Sequence, residues 1–487
     1  MSATTTPAHH RRKGLILFLL AMTQFIIVLD ASIVNVALPS IMRDLDFTQE
    51  SITWVLNAYA LTFGGFLLLG GRLADLLGRR RMFIIGAVVF GLASLAGGLA
   101  QSSAQLVIAR GFQGLGGALI APAALSIVTT TFTEGEERNK ALGVWGAVAG
   151  FGGAAGVLLG GVLTQSFGWE AVLLVNVPIT VAIVAAAPRV LPESRAEHDG
   201  PRALDIPGAV TITGGIGVLI YALVNANSAG WGSGQTIGLL LGAAVLVAGF
   251  IAIESRHRAP LVPLGIFKLG TLRGANVVGL LIGASLFSMF LFITFYLQNI
   301  LGHDAMRTGL EYLPLAIVII ISAGTASAMV SKIGFKTPLV IGMLLITAGL
   351  LCFSRISVDG SWAADILGPS VVAAAGLGFS FVPVTIAAVS GTKPEEAGLA
   401  SGLINTVQQV GGALGVSVLI AVASGSLPTG AQPSPEQLTE GYANAFLVGA
   451  AFAFAGALYA MFAISSKDSK AFVEASAAGE APVVAVG

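Results

Sequence analysis

The chain has 487 residues, 55% hydrophobic and 10% charged, with a mean hydropathy of +0.87 and a formal net charge of zero. A soluble domain carries about 25% charged residues, so this composition excludes an ordinary globular protein and describes one that crosses a membrane many times. The balanced charge gives no support to a nucleic-acid partner, and the single cysteine, Cys352, excludes an intramolecular disulfide.

The first apolar stretch sets the theme. Arg11, Arg12 and Lys13 precede an uncharged run from Leu15 to Leu29; Asp30 follows, and the run resumes to a stop expected at Pro39. A helix rises about 1.5 Å per residue and a bilayer core is about 30 Å thick, so the stretch can span, with Asp30 about 24 Å from the basic end. A carboxylate inside the hydrocarbon layer costs at least about 2.5 kcal/mol and marks an ion pathway, so Asp30 reads as an ion-handling group; a structural aspartate bonding a neighbouring helix is the alternative. The run is long and lacks a small-residue cleavage site, which makes it an uncleaved span rather than a signal peptide.

Apolar runs continue at roughly regular intervals and predict fourteen spans, near residues 14–38, 52–70, 82–100, 105–128, 141–163, 170–190, 206–227, 235–254, 274–298, 308–330, 337–355, 363–388, 399–424 and 441–464. With a cytoplasmic N-terminus, 21 of the 25 Lys and Arg residues fall on the cytoplasmic side. Arg43, Arg307 and Arg355 are outside, and Arg110 lies within a span. That is the positive-inside asymmetry, and it places both termini in the cytoplasm. Trp54, Trp169, Trp231 and Trp362 fall at outer span ends, where an amphipathic ring prefers the interface.

The expected organisation is a cytoplasmic N-terminus (1–13), a six-helix bundle (14–190), a linker carrying two further transmembrane helices (191–273), a second six-helix bundle (274–464) and a disordered cytoplasmic tail (465–487). An internal repeat supports the two bundles. LADLLGRRRMFIIG around Gly78 and AMVSKIGFKTPLVIG around Gly334 each place basic residues after a glycine and a second glycine eight positions on, at Gly86 and Gly342. Repeated halves are typical of secondary transporters, with the binding site between them.

Several polar residues stand out against the apolar background. The loop Gly71-Arg72-Leu73-Ala74-Asp75-Leu76-Leu77-Gly78-Arg79-Arg80-Arg81 combines glycines that permit a tight turn with Asp75, which can pair with a cation or a helix N-terminus; simple topology is the alternative reading of its arginines. Arg110 lies about 8 Å deep from the outer side, comparable with Asp30, or snorkels to the interface. If the two pair, the cation favours the carboxylate while burial favours the neutral acid. Glu311 follows Thr308 as a T-x-x-E capping box, and is also a candidate for substrate or proton contact. Asn405, Gln408 and Gln409 share one helix face and, with Gln113, are candidates for a polar patch in a central cavity or for interhelical hydrogen bonds. Asn35, Asn57 and Tyr59 are further cavity candidates.

These stretches resemble a known family. GRLADLLGRRR is similar to the signature loop of the major facilitator superfamily, and LVIARGFQGLGGALIAP at 106–122 to its span-4 motif. LDASIVNVALPSI at 29–41 resembles the first-helix motif of its fourteen-span drug:proton antiporter branch. GAVAGFGGAAGVLLGGVLTQSFGW, followed by NVP at 176–178, resembles the exporter motif, with Gly152, Gly156, Gly160 and Gly161 as its glycines; AGLASGLINTVQQVGGALG extends the likeness into the second half. Val157 stands where that motif usually has proline. The resemblance implies an all-helical major facilitator fold of two six-helix bundles plus two central helices. It also implies a proton-coupling role for Asp30 with Arg110, and a cytoplasmic latch formed by Gly71, Arg72, Asp75, Gly78, Arg79 and Arg80.

The implied activity is export of small amphipathic or cationic compounds across the cytoplasmic membrane in exchange for protons, driven by the proton motive force without a cofactor. A proton-coupled importer of a small nutrient, or an exporter of one endogenous metabolite, is the alternative. Substrate, protons and membrane lipid are the expected partners, and a monomer the expected state. No enzymatic activity is expected: no lysine follows a glycine, which excludes a Walker A loop, and His9, His10, His198, His257 and His303 all lie outside the spans, so no embedded metal site is expected.

Overall fold

The computed structural model describes residues 7–48, 51–132, 136–194, 205–257, 260–392, 397–425 and 433–478, and the regular structure of these residues is helical throughout. The N-terminal half contains α1 (Pro7–Asp44), α2 (Thr53–Leu77), α3 (Arg79–Gly98), α4 (Ser103–Thr131), α5 (Glu136–Phe167) and a sixth helix divided at Val175 into α6 (Ala171–Leu174) and α7 (Asn176–Val190). Two helices follow, α8 (Ile206–Ala229) and α9 (Gly234–Glu254).

The C-terminal half begins with α10 (Gly270–Phe295), whose last turn widens at Tyr296–Ile300, then α11 (Ala305–Glu311) and α12 (Leu313–Ile333). α13 (Lys336–Phe353), a wide turn at Trp362–Leu367 leading into α14 (Gly368–Val389), α15 (Ala397–Ser424), α16 (Pro435–Ala463) and α17 (Ser466–Ala478) complete it.

Local sequence explains where these helices start. Ser102, Ser233, Asp304 and Ser434 each accept a backbone N–H of the first turn, and Ser434 with Gln437 closes a reciprocal capping box. α1 does not stop at Pro39 but runs through it to Asp44. Its long apolar body carries the expected outward face: Phe18, like Leu92, Ile108, Val245, Ile321 and Phe462 elsewhere, is exposed, as side chains solvated by lipid must be.

Among the described residues, twelve helical segments are long and apolar enough to cross a membrane. The sequence predicts fourteen. The two not among the twelve are α2 and α5, some of whose side chains lie outside those described.

The two halves repeat one packing scheme. In the first, α1 lies on α5, α4 on both α2 and α3, and α7 on α1 and α3. In the second, α10 lies on α15, α14 on both α12 and α13, and α16 on α10 and α13. The sequence repeat maps onto this. Gly78 (φ 111°) is the single residue between α2 and α3, and Gly334 (φ 79°) ends α12 at the matching turn, both in backbone conformations that suit glycine. Gly86 lets α3 approach α4, and Gly342 lets α13 approach α14.

The halves meet where α15 crosses α2 and where α11 and α12 cross α5. α8 lies over the first of these seams, against both α2 and α15. The residues after the last crossing depart from expectation: Ser466–Ala478 form α17, with Phe472 edge-on to Phe335 at 5.9 Å, rather than a disordered tail. An amphipathic segment with one large aromatic finds a docking site that its low hydrophobicity does not advertise.

Candidate functional site

The densest polar cluster among the described residues is buried inside the N-terminal half and centres on Asp30. Its side chain is fully buried, and that of Arg110 is 1% exposed. Oδ2 of Asp30 accepts from Nη1 of Arg110 at 2.6 Å, while Oδ1 accepts from Nε2 of Gln113 at 2.6 Å and Nδ2 of Asn176 at 2.8 Å. Arg110 donates further, from Nε to the Val55 carbonyl at 3.0 Å and from Nη1 to Oε1 of Gln113 at 2.7 Å. Nε2 of Gln113 also donates to Oγ of Ser94, which in turn donates to the Phe90 carbonyl. The guanidinium lies 4.5 Å from the centre of the Tyr59 ring, within cation–π range.

Five helices therefore converge on one carboxylate: α1, α2, α3, α4 and α7. The physical reason is solvation. A carboxylate and a guanidinium removed from water need an opposite charge and hydrogen bonds on nearly every lone pair and N–H, and this cluster supplies them. The arrangement holds a single ion pair away from solvent, and the Asp30 carboxylate is the opposite charge that Arg110 meets there.

Of the sequence-predicted residues, the structure brings together Asp30, Arg110, Gln113 and Tyr59. Gln113 thus belongs to this cluster and not to a patch shared with α15. There, Gln408 is buried beside Gly279 and Gly283 of α10, Gln409 touches Gly64 of α2, and Asn405 is exposed. Nδ2 of Asn35 donates to the Ala31 and Ser32 carbonyls of its own helix, and Asn57 is buried on α2. Asn176 and Ser94 are participants that sequence reasoning did not assign; Asn176 had a signal in the NVP of 176–178, whereas Ser94 sits in a run of small apolar residues.

Glu311 lies elsewhere, at the end of α11 where it leads into α12. It pairs with Nδ1 of His303 at 2.8 Å and Nε of Arg307 at 3.1 Å. The expected capping box is not formed: Asp304 caps α11 by accepting from the Arg307 N–H, and Thr308 donates back to the Asp304 carbonyl. Asp304 lies one residue before the helix and outcompetes a threonine already inside it.

The glycines of α5 serve close helix approach. Gly152, Gly156 and Gly160 lie against Phe25, Ser32 and Ile33 of α1, and Gly161 lies against the Ala305 carbonyl of α11 in the other half. In the α2–α3 turn, Arg80 pairs with Glu193 at 3.5 Å and donates to the Pro188 and Leu191 carbonyls at the end of α7. Arg79 N–H donates to the Ser194 carbonyl. Gly71 faces Pro122 of α4. The side chain of Asp75 lies outside the described residues. The turn expected to act as a latch thus clasps the segment after α7, within its own half. The C-terminal half repeats it, with Lys336 bonded to Ser466 and Ser469 of α17.

Comparison with known proteins agrees with this architecture. The family model described as Major Facilitator Superfamily matches residues 20–416. The chain is 39% identical over 441 residues to the cephamycin export protein CmcT of Amycolatopsis lactamdurans, covering 90% of each, and 38% identical over 458 residues to the puromycin resistance protein pur8 of Streptomyces alboniger, covering 93% of this chain and 90% of that one. Among solved structures, the POT family transporter PepTSo superposes with a TM-score of 0.67 at 18% identity, covering 94% of this chain and 98% of that one, which speaks to the fold alone. By its helical pairing, its repeated halves and these matches, the chain belongs to the Major Facilitator Superfamily.

Proposed function

We propose that this protein exports small amphipathic or cationic compounds across the cytoplasmic membrane in exchange for protons, by alternating access between its two halves. Relatives named for antibiotic export and resistance, aligned over nearly the whole chain, support the direction and the substrate class. The observation that carries the coupling is the fully buried Asp30–Arg110 pair, held by Gln113 and Asn176.

Protonating Asp30 neutralises the carboxylate and frees Arg110 to reorient, and the five crossings that meet there shift with it. Substrate and proton then occupy the transporter in alternation. Each elementary charge moved down the membrane potential contributes about 2.3 kcal/mol per 100 mV, sufficient to drive uphill export. In this reading α2 and α5 also cross, giving fourteen spans with both termini in the cytoplasm. The Gly71–Arg81 turn is a cytoplasmic clasp that changes partners during the switch, and the unit of function is a monomer.

The test is Asp30→Asn reconstituted in proteoliposomes. Loss of pH-gradient-driven substrate movement, with substrate binding retained, is expected; unchanged coupled transport overturns the assignment.

A further inference from the structure

The cytoplasmic ends of α8 and α9 hold a second buried acidic pair that the coupling scheme does not use. Asp205 is 1% exposed and Glu254 4% exposed. Oδ1 of Asp205 caps α8 by accepting the Gly208 N–H at 2.8 Å. Glu254, the last residue of α9, accepts the N–H groups of Leu261 and Val262 at 3.2 and 3.0 Å, one on each oxygen. It thereby ties the helix to the connector leading into the C-terminal half.

The remaining oxygen, Oδ2 of Asp205, is buried and meets no hydrogen-bond donor among the described residues. The Glu254 carboxyl lies beside the Asp205 carboxyl, with Oε1 of Glu254 and Oδ2 of Asp205 both turned toward Gly208. Both groups crowd Gly208, where any side chain would strike Oδ2 of Asp205 and Oε1 of Glu254, so the glycine is what lets them approach. Neighbouring elements carry Arg256 and His257 on the α9 side, Lys268 on the connector, Arg273 on α10 and Arg72 on α2. Among the described residues no salt bridge joins either carboxyl, and the groups acting on Glu254 are Asp205 and the two backbone amides.

Two ionised carboxylates cannot hydrogen-bond each other, and facing each other away from water they repel without compensation. One proton between them resolves both problems, since a carboxylic O–H donates to the neighbouring carboxylate. We infer that Asp205 and Glu254 form a proton-binding site, in which one shared proton fastens the two additional helices to the Leu261–Val262 connector. The connector is buried in an apolar layer with Leu272 of α10 and with Ala400 and Leu403 of α15, and Leu69 of α2 packs against that layer. The site therefore sits where one helix of each half meets the additional pair, and loss of its proton loosens that junction. The inference stands independently of the export reading, because it concerns a different carboxyl pair.

Infrared spectroscopy of the whole protein in lipid nanodiscs tests it, with buffer titrated from mildly acidic to mildly alkaline. The expected result is a protonated-carboxyl C=O band that shifts on glutamate or aspartate side-chain 13C labelling and disappears as pH rises. Over the same range, hydrogen exchange at Leu261 and Val262, normalised to the intrinsic rate at each pH, loses protection. Asp205→Asn and Glu254→Gln each supply an amide donor in place of the shared proton. They are expected to remove the band and make the protection independent of pH. A wild-type protein with no such titrating band overturns the proposal whether or not the variants fold, as does a band that survives both substitutions or protection that ignores pH in the wild type.

Discussion

Asp30 on α1 and Arg110 on α4 are 80 residues apart in sequence, and their side chains meet at 2.6 Å with neither reaching solvent. Breaking a buried pair by removing one partner leaves an uncompensated charge, at a cost of about 3–5 kcal/mol. Arg110→Gln is therefore expected to lower unfolding stability by about that amount. The double variant Asp30→Asn with Arg110→Gln should recover more than about 1 kcal/mol of it, as coupled neighbours do. Denaturant unfolding of purified protein followed by tryptophan fluorescence measures both, and strict additivity would show that the charges are not coupled.

Asn176, the first residue of the NVP segment, donates one hydrogen bond to the Asp30 carboxylate. A hydrogen bond to a charged group is worth about 1.5–3 kcal/mol. Asn176→Ala should cost about that in stability, while Asn176→Asp, which brings a second carboxylate to Asp30, should be worse than alanine. Equal effects of the two substitutions would mean that Asn176 contributes packing and not charge solvation.

At the seam between the halves, Gly161 of α5 lies against the Ala305 carbonyl, and a Cβ added at Gly309 of α11 would stand 2.9 Å from the Val157 carbonyl. A leucine at either position cannot coexist with this closed seam. Gly161→Leu is expected to fold, because its own half is untouched, yet to lose most transport and leave cysteine probes on α5 along this seam permanently accessible. Normal transport with normal protection would remove the seam from the cycle.

The turn at Gly78 tests the two clasps. Its φ of 111° costs a non-glycine residue about 1–3 kcal/mol, and a Cβ there would also crowd the Glu193 carboxylate. Gly78→Ala should lower the melting temperature clearly, whereas Glu193→Gln, which removes a half-exposed ion pair, should cost no more than about 1 kcal/mol. In the other half, Phe472→Ala removes a partly buried ring from Phe335 and should cost about 1.5 kcal/mol, read by thermal unfolding in detergent.

Much of the architecture was legible in the linear chain. Apolar run length, the bias of Lys and Arg toward alternate loops and the glycine-spaced repeat at Gly78 and Gly334 are local quantities, and each is fixed by what a bilayer will solvate. They gave the helical class, the two halves and the importance of Asp30 and Arg110, because a charge within a long apolar run is conspicuous wherever the run goes.

What only the tertiary structure decided is which polar groups share a site. Gln113 turns toward Asp30 and away from Gln408, Glu311 is claimed by His303 and Arg307, and Ser466–Ala478 dock as a helix. Asp205 and Glu254 meet across 49 residues of chain around a glycine. A side chain's direction on a buried helix is set by the neighbours that satisfy its hydrogen bonds, and those neighbours are brought together only by packing.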